Sequence, residues 1–160
     1  MLTPLRRALL AKTGDSRRRQ NLAALSLGAF AALAFPPIHL VPVLLLAIPG
    51  LLYLIDMVPD WRAAARVGWW FGFGLNLLGL YWITEAILIE AARYWWLVPI
   101  AVPALAAYMA VFLALPALLA KMCAHGWRRI FCLACAWTIA DIARQFILSG
   151  FPWNPWGSVW

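Results

Sequence analysis

Residues 95–120 read WWLVPIAVPALAAYMAVFLALPALLA, a run of 26 residues without a charged side chain. An α-helix rises about 1.5 Å per residue, so about 20 residues cross the roughly 30 Å hydrocarbon core of a bilayer. Pro99, Pro103 and Pro116 lie within the run, and membrane helices tolerate proline where neighbouring groups satisfy the freed carbonyls. The run therefore predicts a kinked membrane-spanning helix.

The composition of the whole chain agrees with this prediction. Of its 160 residues 66% are hydrophobic and only 12% are charged, the mean hydropathy is +0.83, and 11 residues are tryptophan. A soluble globular protein needs more polar side chains than this to cover its surface. The sequence predicts an all-α fold, a polytopic membrane helix bundle.

Charge-poor runs of membrane-spanning length occur five times. They cover residues 21–36, 41–58, 66–85, 95–120 and 130–148. Together they predict a transmembrane domain over residues 21–148, with a basic segment before it (1–20) and a short segment after it (149–160). Prolines at 36, 37, 42 and 49 interrupt the first two runs, which leaves a re-entrant hairpin as the alternative to two crossings.

Basic residues concentrate in alternate loops of this predicted bundle. Before the first run, between the second and third, and between the fourth and fifth stand Arg6, Arg7, Lys12, Arg17, Arg18, Arg19, Arg62, Arg66, Lys121, Arg128 and Arg129. Cytoplasmic loops carry such an excess, so we expect a cytoplasmic N-terminus and a periplasmic C-terminus. The net charge of +7 then favours an anionic bilayer as partner. Nucleic acid is disfavoured because its binders collect basic residues on one groove-facing surface.

The third run carries a stripe of small residues. Gly68, Gly72, Asn76 and Gly79 are three or four residues apart and so share one helical face. Small residues let another helix approach closely, and the Asn76 amide is available to bond across that contact. The stripe predicts helix packing more strongly than a substrate site.

Asp141 and Arg144 are charged residues inside the fifth apolar run. An arginine at the centre of a membrane helix costs at least about 2.5 kcal/mol, so Arg144 should face the bundle interior and find a partner. Asp141, three residues earlier, is within reach. One interpretation is a self-neutralising pair that bonds helix to helix. The other is that the pair lines a cavity for a polar lipid head, with Arg144 as the better phosphate ligand, or holds the outer loop.

Cys123, Cys132, Cys135 and His125 are the chain's candidate metal ligands. Cys132 and Cys135 have the spacing of half a zinc site, but they fall in an apolar helix without the turn that a zinc knuckle needs. We therefore predict reduced structural cysteines, no metal site and no cofactor.

Three motifs carry a resemblance to a known family. They are LAFPP at 33–37, GWWFGFG at 68–74 with GLYW at 79–82, and Ala136-Trp137-x-x-x-Asp141-x-x-Arg144 followed by LSGFPWN at 148–154 and Gly157. Each motif is weak alone, but their order and spacing are specific together. From about residue 22 to residue 160 the chain resembles the membrane segment of the apolipoprotein N-acyltransferases.

The resemblance implies a function and a localisation. Members of this family transfer an acyl chain from a phospholipid donor to the N-terminal cysteine amino group of a lipoprotein substrate, in the bacterial inner membrane. Their catalytic Glu-Lys-Cys triad lies in a nitrilase-like domain outside the membrane. No cysteine of this chain is predicted on that side, so no catalytic residue is transferred to it. The family usually has Glu where Asp141 stands, a change that keeps the charge.

The expectation is thus the membrane portion of an apolipoprotein N-acyltransferase, inactive alone, either truncated or encoded apart from its nitrilase-like domain. Its predicted outer-face elbow is Gly150, Phe151, Pro152, Trp153 and Asn154. The alternative is a catalytically silent membrane scaffold, derived from the family, that binds lipid or a protein partner. A small transporter is disfavoured because five spans lack the paired repeats that transporters commonly have.

Overall fold

The computed structural model of this chain describes residues 4–147 and 155, and over these residues all regular structure is helical. The prediction of an all-α fold is confirmed for this part of the chain. The α-helices, numbered in chain order, are α1 (Pro4–Ala31), α2 (Leu44–Met57), α3 (Trp61–Gly79), α4 (Trp82–Leu88), α5 (Ala91–Tyr94), α6 (Val98–Met122) and α7 (Trp127–Arg144).

Helices α1 and α2 form an antiparallel hairpin. Helix α1 is continuous from Pro4, so most of the basic segment predicted at 1–20 belongs to the same helix as the first predicted span. A 3-10 turn, Ala32–Ala34, and a Pro36-Pro37 turn lead into a second 3-10 turn, Val41–Val43, and then α2. The chain returns along α1, because Gly50 of α2 faces the Leu27 side chain.

Local features of the sequence explain where helix α3 begins and ends. The Asp60 side chain accepts a hydrogen bond from Ala63 N at 2.8 Å, which satisfies one of the amide groups that every helix start leaves unpaired. The helix ends at Gly79, a poor helix former, and the chain bends by 48° into α4. The run predicted as one span, 66–85, is therefore broken by this bend, which the apolar residues on both sides of Gly79 do not signal.

Helix α3 lies at the centre of the bundle and packs against α1, α2 and α6. Its contact with α1 is backbone to backbone. A Cβ atom added to Gly74 would collide with the carbonyl oxygen of Leu25, and one added to Gly28 would collide with that of Phe71. Arg66 of α3 bonds Gln20 of α1, and Gly74 lies against Leu25, so residue numbers rise together along the two helices and α1 and α3 run parallel.

Helices α6 and α7 form a second antiparallel hairpin. Gly126 joins them with φ +83°, in the left-handed region that favours glycine. The helices start and stop a few residues from the predicted spans: α6 runs to Met122 instead of residue 120, and α7 runs from Trp127 to Arg144 instead of from 130 to 148. Arg144, expected near the middle of a span, is thus in the last turn of its helix.

Helix ends gather at two ends of the bundle. At one, here named the basic end, α2 and α6 finish and α3 and α7 begin. Lys121 Nζ donates to Asp56 O at 3.2 Å and so joins the ends of α6 and α2. Arg66 Nη2, in the second turn of α3, donates to Gln20 Oε1 in the middle of α1 at 3.0 Å. The basic end therefore collects side chains from segments that are far apart in sequence.

Membrane-spanning length is clearest in one part of the described chain. The helical stretch Ala91–Met122 is long and apolar enough to cross a bilayer, and α3 with α4 is a second candidate if the bent pair counts as one span. Helix α2 with its 3-10 turn, Val41–Met57, is apolar but shorter. Five crossings therefore stay a prediction.

The close approach of α1 and α3 predicts different costs for adding a methyl group at two glycines. Gly74→Ala places a Cβ against a backbone carbonyl that cannot rotate away, so we expect a loss of about 1–3 kcal/mol in the free energy of unfolding. Gly50→Ala is the matched control, because its Cβ would meet only the mobile Leu27 side chain, at 2.9 Å. Its loss should stay under about 1 kcal/mol, since alanine also favours the helix.

Detergent-solubilised protein titrated with SDS and followed by circular dichroism measures both values. Equal effects at Gly74 and Gly50 would contradict the backbone contact.

Candidate functional site

The charged pair predicted in the last apolar run is brought together on α7. Arg144 Nη2 lies 2.9 Å from Asp141 Oδ1, as expected for residues one helical turn apart. The Arg144 side chain is 3% exposed and that of Asp141 is 14% exposed. A cation in the last turn of a helix is also favoured by the partial negative charge of the helix C-terminus. The Arg144 guanidinium is therefore compensated twice, by its ion pair with Asp141 and by its place at the helix end.

Trp137, one turn before Asp141, anchors α7 to the centre of the bundle. Its ring packs edge to face on Phe71 of α3, with 6.1 Å between ring centroids. Phe71 is fully buried and Trp137 is 8% exposed. This contact turns one face of α7 towards α3 and fixes the direction in which the following turn, with the charged pair, points.

A mostly apolar groove of about 270 Å³ lies between α2 and α7. Its lining comes from both helices: Ile48, Leu52, Ile130, Leu133, Ala134, Trp137, Thr138 and Asp141. The span from residue 130 to residue 141 is roughly 16 Å at helical rise. Asp141 places a carboxylate at the far end, while the Thr138 hydroxyl donates to Ala134 O at 3.0 Å and presents no free donor. The groove thus has the shape and polarity for an alkyl chain with a polar group at one end.

The residues of the small-residue stripe on α3 do not all have the same role. Gly68 and Gly72 face α6, where an added Cβ would meet Ala117 and Leu113 side chains and the backbone near them. The Asn76 amide is buried, but its Nδ2 donates to Gly72 O on the same helix at 2.8 Å. This bond lies within α3, and a bond of the Asn76 amide across the helix contact stays a prediction. Gly79, the last residue of α3, lies beyond this contact at the bend.

An ion pair at the basic end was not foreseen from the sequence. Arg129, interpreted only as a topology signal, is 4% exposed and pairs with Asp56 at the end of α2. Its Nε donates to Ala120 O at 3.0 Å and its Nη2 to Cys123 O at 3.0 Å. Ala120 lies in the last turn of α6 and Cys123 directly follows that helix, so the guanidinium caps the end of one helix while it binds another. The position of Arg129 next to the equally basic Arg128 gave no signal of this role.

His125 joins the same junction. Its Nδ1 lies 3.1 Å from Arg129 Nη1 and 3.4 Å from Asp56 Oδ1. The junction therefore links the ends of α2 and α6 to the start of α7 through side chains of three different segments.

The three cysteines, which are candidate metal ligands in the sequence, lie on or beside helices. Cys132 and Cys135 lie on the continuous helix α7 and Cys123 follows α6, and all three are free thiols. Among the residues that the structure describes, no group of three or more His, Cys, Asp or Glu is arranged to hold a metal ion. The predicted elbow, Gly150, Phe151, Pro152, Trp153 and Asn154, lies outside the described residues.

These features define the class of protein: a helical bundle with at least one helix of membrane-spanning length and a buried charged pair. Comparison with known proteins makes this specific. Residues 27–160 match the family model described as the apolipoprotein N-acyltransferase N-terminal domain. The chain belongs to the apolipoprotein N-acyltransferase family, which confirms the resemblance found in the sequence.

Individual relatives agree with this assignment. The apolipoprotein N-acyltransferase of Brucella suis biovar 1 is 42% identical over 146 residues, covering 85% of this chain and 27% of the relative. That of Rhodopseudomonas palustris is 41% identical over 148 residues, covering 87% of this chain and 27% of the relative. The chain thus spans little more than a quarter of the relatives it matches.

The junction at the basic end predicts a strong difference between two adjacent arginines. Arg129→Met removes the cap of α6 and leaves Asp56 without its cation, so we expect the free energy of unfolding to fall by about 2–3 kcal/mol. Arg128→Met removes the same charge from an exposed neighbour and should change it by less than about 0.5 kcal/mol. SDS titration of both variants measures the difference. A similar loss in both would mean that net charge, and not the junction, stabilises the bundle.

The pair on α7 predicts energetic coupling. Arg144→Gln leaves Asp141 without its counter-charge, and Asp141→Asn leaves the more deeply buried guanidinium without one, so each should cost about 1–3 kcal/mol. The double variant should cost less than the sum of the two by at least about 0.5 kcal/mol. Unfolding of the four proteins in detergent gives this double-mutant cycle, and additive effects would contradict a direct pair.

Proposed function

We propose that this chain forms the membrane portion of an apolipoprotein N-acyltransferase in the bacterial inner membrane. The observation that carries the proposal is the family match over residues 27–160, which includes every helix from the end of α1 to α7. On this proposal the complete enzyme transfers an acyl chain from a phospholipid to the amino group of a lipoprotein's N-terminal cysteine, in a nitrilase-like domain beyond the matched portion.

Five crossings with a cytoplasmic N-terminus are part of the proposal. The distribution of charge supports them: Arg62, Arg66, Lys121 and Arg129 lie at the basic end, while Glu85 and Glu90 follow the bend after α3. Helix α2 is short for a crossing, since 17 residues from Val41 to Met57 span roughly 25 Å. Local thinning of the bilayer accommodates such a length at modest cost.

The groove between α2 and α7 gives the membrane portion a role beyond anchoring. Its apolar walls suit an acyl chain, and Asp141 with Arg144 would bind polar groups at its outer end. The outer ends of α3 and α7 would then shape the lateral entrance through which phospholipid and lipoprotein acyl chains reach the reaction site. On this proposal the pair has a positioning role, because the proposed chemistry lies in the nitrilase-like domain.

Complementation of a bacterial strain depleted of its own acyltransferase tests the proposal. We expect this chain alone to give no rescue, because the proposed chemistry lies outside it. A chimera of this chain followed by the unmatched remainder of the Brucella suis relative should restore growth and lipoprotein N-acylation, whereas the remainder alone should not. Immunoblots of the membrane fraction verify that each protein accumulates. Rescue by the chain alone, or an abundant chimera without acylation, would overturn the proposal.

A further inference from the structure

Two adjoining cavities lie at the basic end, between the turns of α1 around Gln20 and the first turns of α3. Their volumes are about 500 and 380 Å³. The first is lined by Ser16, Arg17, Gln20, Pro59, Asp60, Arg62, Ala63 and Arg66, and the second by Arg17, Arg18, Asn21, Leu22, Arg66 and Trp70. Arg17 and Arg66 line both cavities, so the two form one continuous depression.

The depression is strongly cationic. Arg17, Arg62 and Arg66 line the first cavity with one acid, Asp60, whose carboxylate already caps α3. Arg17, Arg18 and Arg66 line the second, which has no acidic residue among those that the structure describes around it. Guanidinium groups that line one depression repel one another, and an anion bound between them offsets this electrostatic repulsion.

The guanidinium of Arg66 is held in place for such a ligand. Its Nη2 donates to Gln20 Oε1 on the facing helix, which uses one of the five N–H donors of the arginine fork. The planar fork matches the oxygens of a phosphate group, which lysine contacts only as a point charge. Arg17, which is exposed on the neighbouring helix, lies on the opposite wall.

The depression changes from polar to apolar along the bundle. Helices α1 and α3 are parallel, so moving from the first cavity to the second advances along both helices, from Ser16 and Asp60 to Leu22 and Trp70. Leu22 is 51% exposed. Tryptophan is typical of the boundary between hydrocarbon and head groups. A ligand that fills both cavities therefore needs a phosphate at one end and an apolar chain at the other.

We propose that this depression is a binding site for the phosphate head group of an anionic glycerophospholipid, with the start of its acyl chain against Leu22 and Trp70. The site is at the opposite end of the bundle from Asp141 and Arg144, so it does not depend on the acyltransferase reaction. Its function is to hold α1 against α3 at the membrane surface by neutralising the arginines of both.

Lipid titration of the full chain in neutral detergent tests this site. The probes are short-chain phosphatidylglycerol, short-chain phosphatidylcholine and inorganic phosphate, with affinities from isothermal titration calorimetry. We expect phosphatidylglycerol to bind at least about tenfold more tightly than either of the others, since it alone combines net negative charge with acyl chains. Arg17→Gln/Arg66→Gln should weaken this binding by at least about tenfold. Arg19→Gln/Arg128→Gln removes the same charge outside the cavities and should change it by less than about twofold.

Two single variants make the result decisive. Arg17→Gln should weaken phosphatidylglycerol binding about threefold even if loss of the Arg66–Gln20 bond destabilises the double variant. Leu22→Asn should weaken phosphatidylglycerol binding and leave inorganic phosphate binding unchanged. Equal losses in the Arg17/Arg66 and Arg19/Arg128 variants would overturn the site in favour of general charge attraction. Phosphate binding as tight as that of phosphatidylglycerol, with no effect of Leu22→Asn, would overturn the lipid as its ligand.

Discussion

The structure depends on the close approach of backbones on two sides of α3. Gly74 and Gly28 leave no room for a Cβ between α3 and α1, while Gly68 and Gly72 do the same between α3 and α6. In a membrane, helices gain little from hydrophobic burial against one another, because lipid tails are equally apolar, so close van der Waals contact supplies much of the association energy. The parallel α1 and the antiparallel α6 are thereby fixed relative to one central helix.

This packing leaves little space for polar groups inside the bundle, and the charged pairs lie at helix ends. Asp56 and Arg129 join three segments at the basic end, and Arg129 also satisfies the last carbonyls of α6. Asp141 and Arg144 pair at the end of α7. In both pairs the arginine guanidinium lies at a helix C-terminus, where backbone carbonyls already favour a cation. Between them, α2 and α7 leave the groove proposed for an acyl chain.

The family, the helical class and the approximate positions of the main helices could be predicted from the sequence alone, because long apolar runs and short motifs are local properties. The sequence does not indicate the bend after Gly79, since the apolar pattern continues through it. It also missed Gly28 and Arg129, because their roles depend on which helices become neighbours. Nor does the pattern of small residues identify the acceptor of the Asn76 amide, which in the structure donates to the Gly72 carbonyl of its own helix.

Cross-linking in bacterial membranes tests most directly whether α1 and α3 are parallel neighbours around the glycine contact. In a chain whose three cysteines are replaced by alanine, Gln20→Cys/Arg66→Cys joins positions whose native side chains are hydrogen-bonded at 3.0 Å. A short bismaleimide should cross-link this pair within one chain, and should not cross-link Gln20→Cys/Glu90→Cys, whose second position lies beyond the bend. Absence of the first product, with both cysteines reactive to a monofunctional maleimide, would contradict the account.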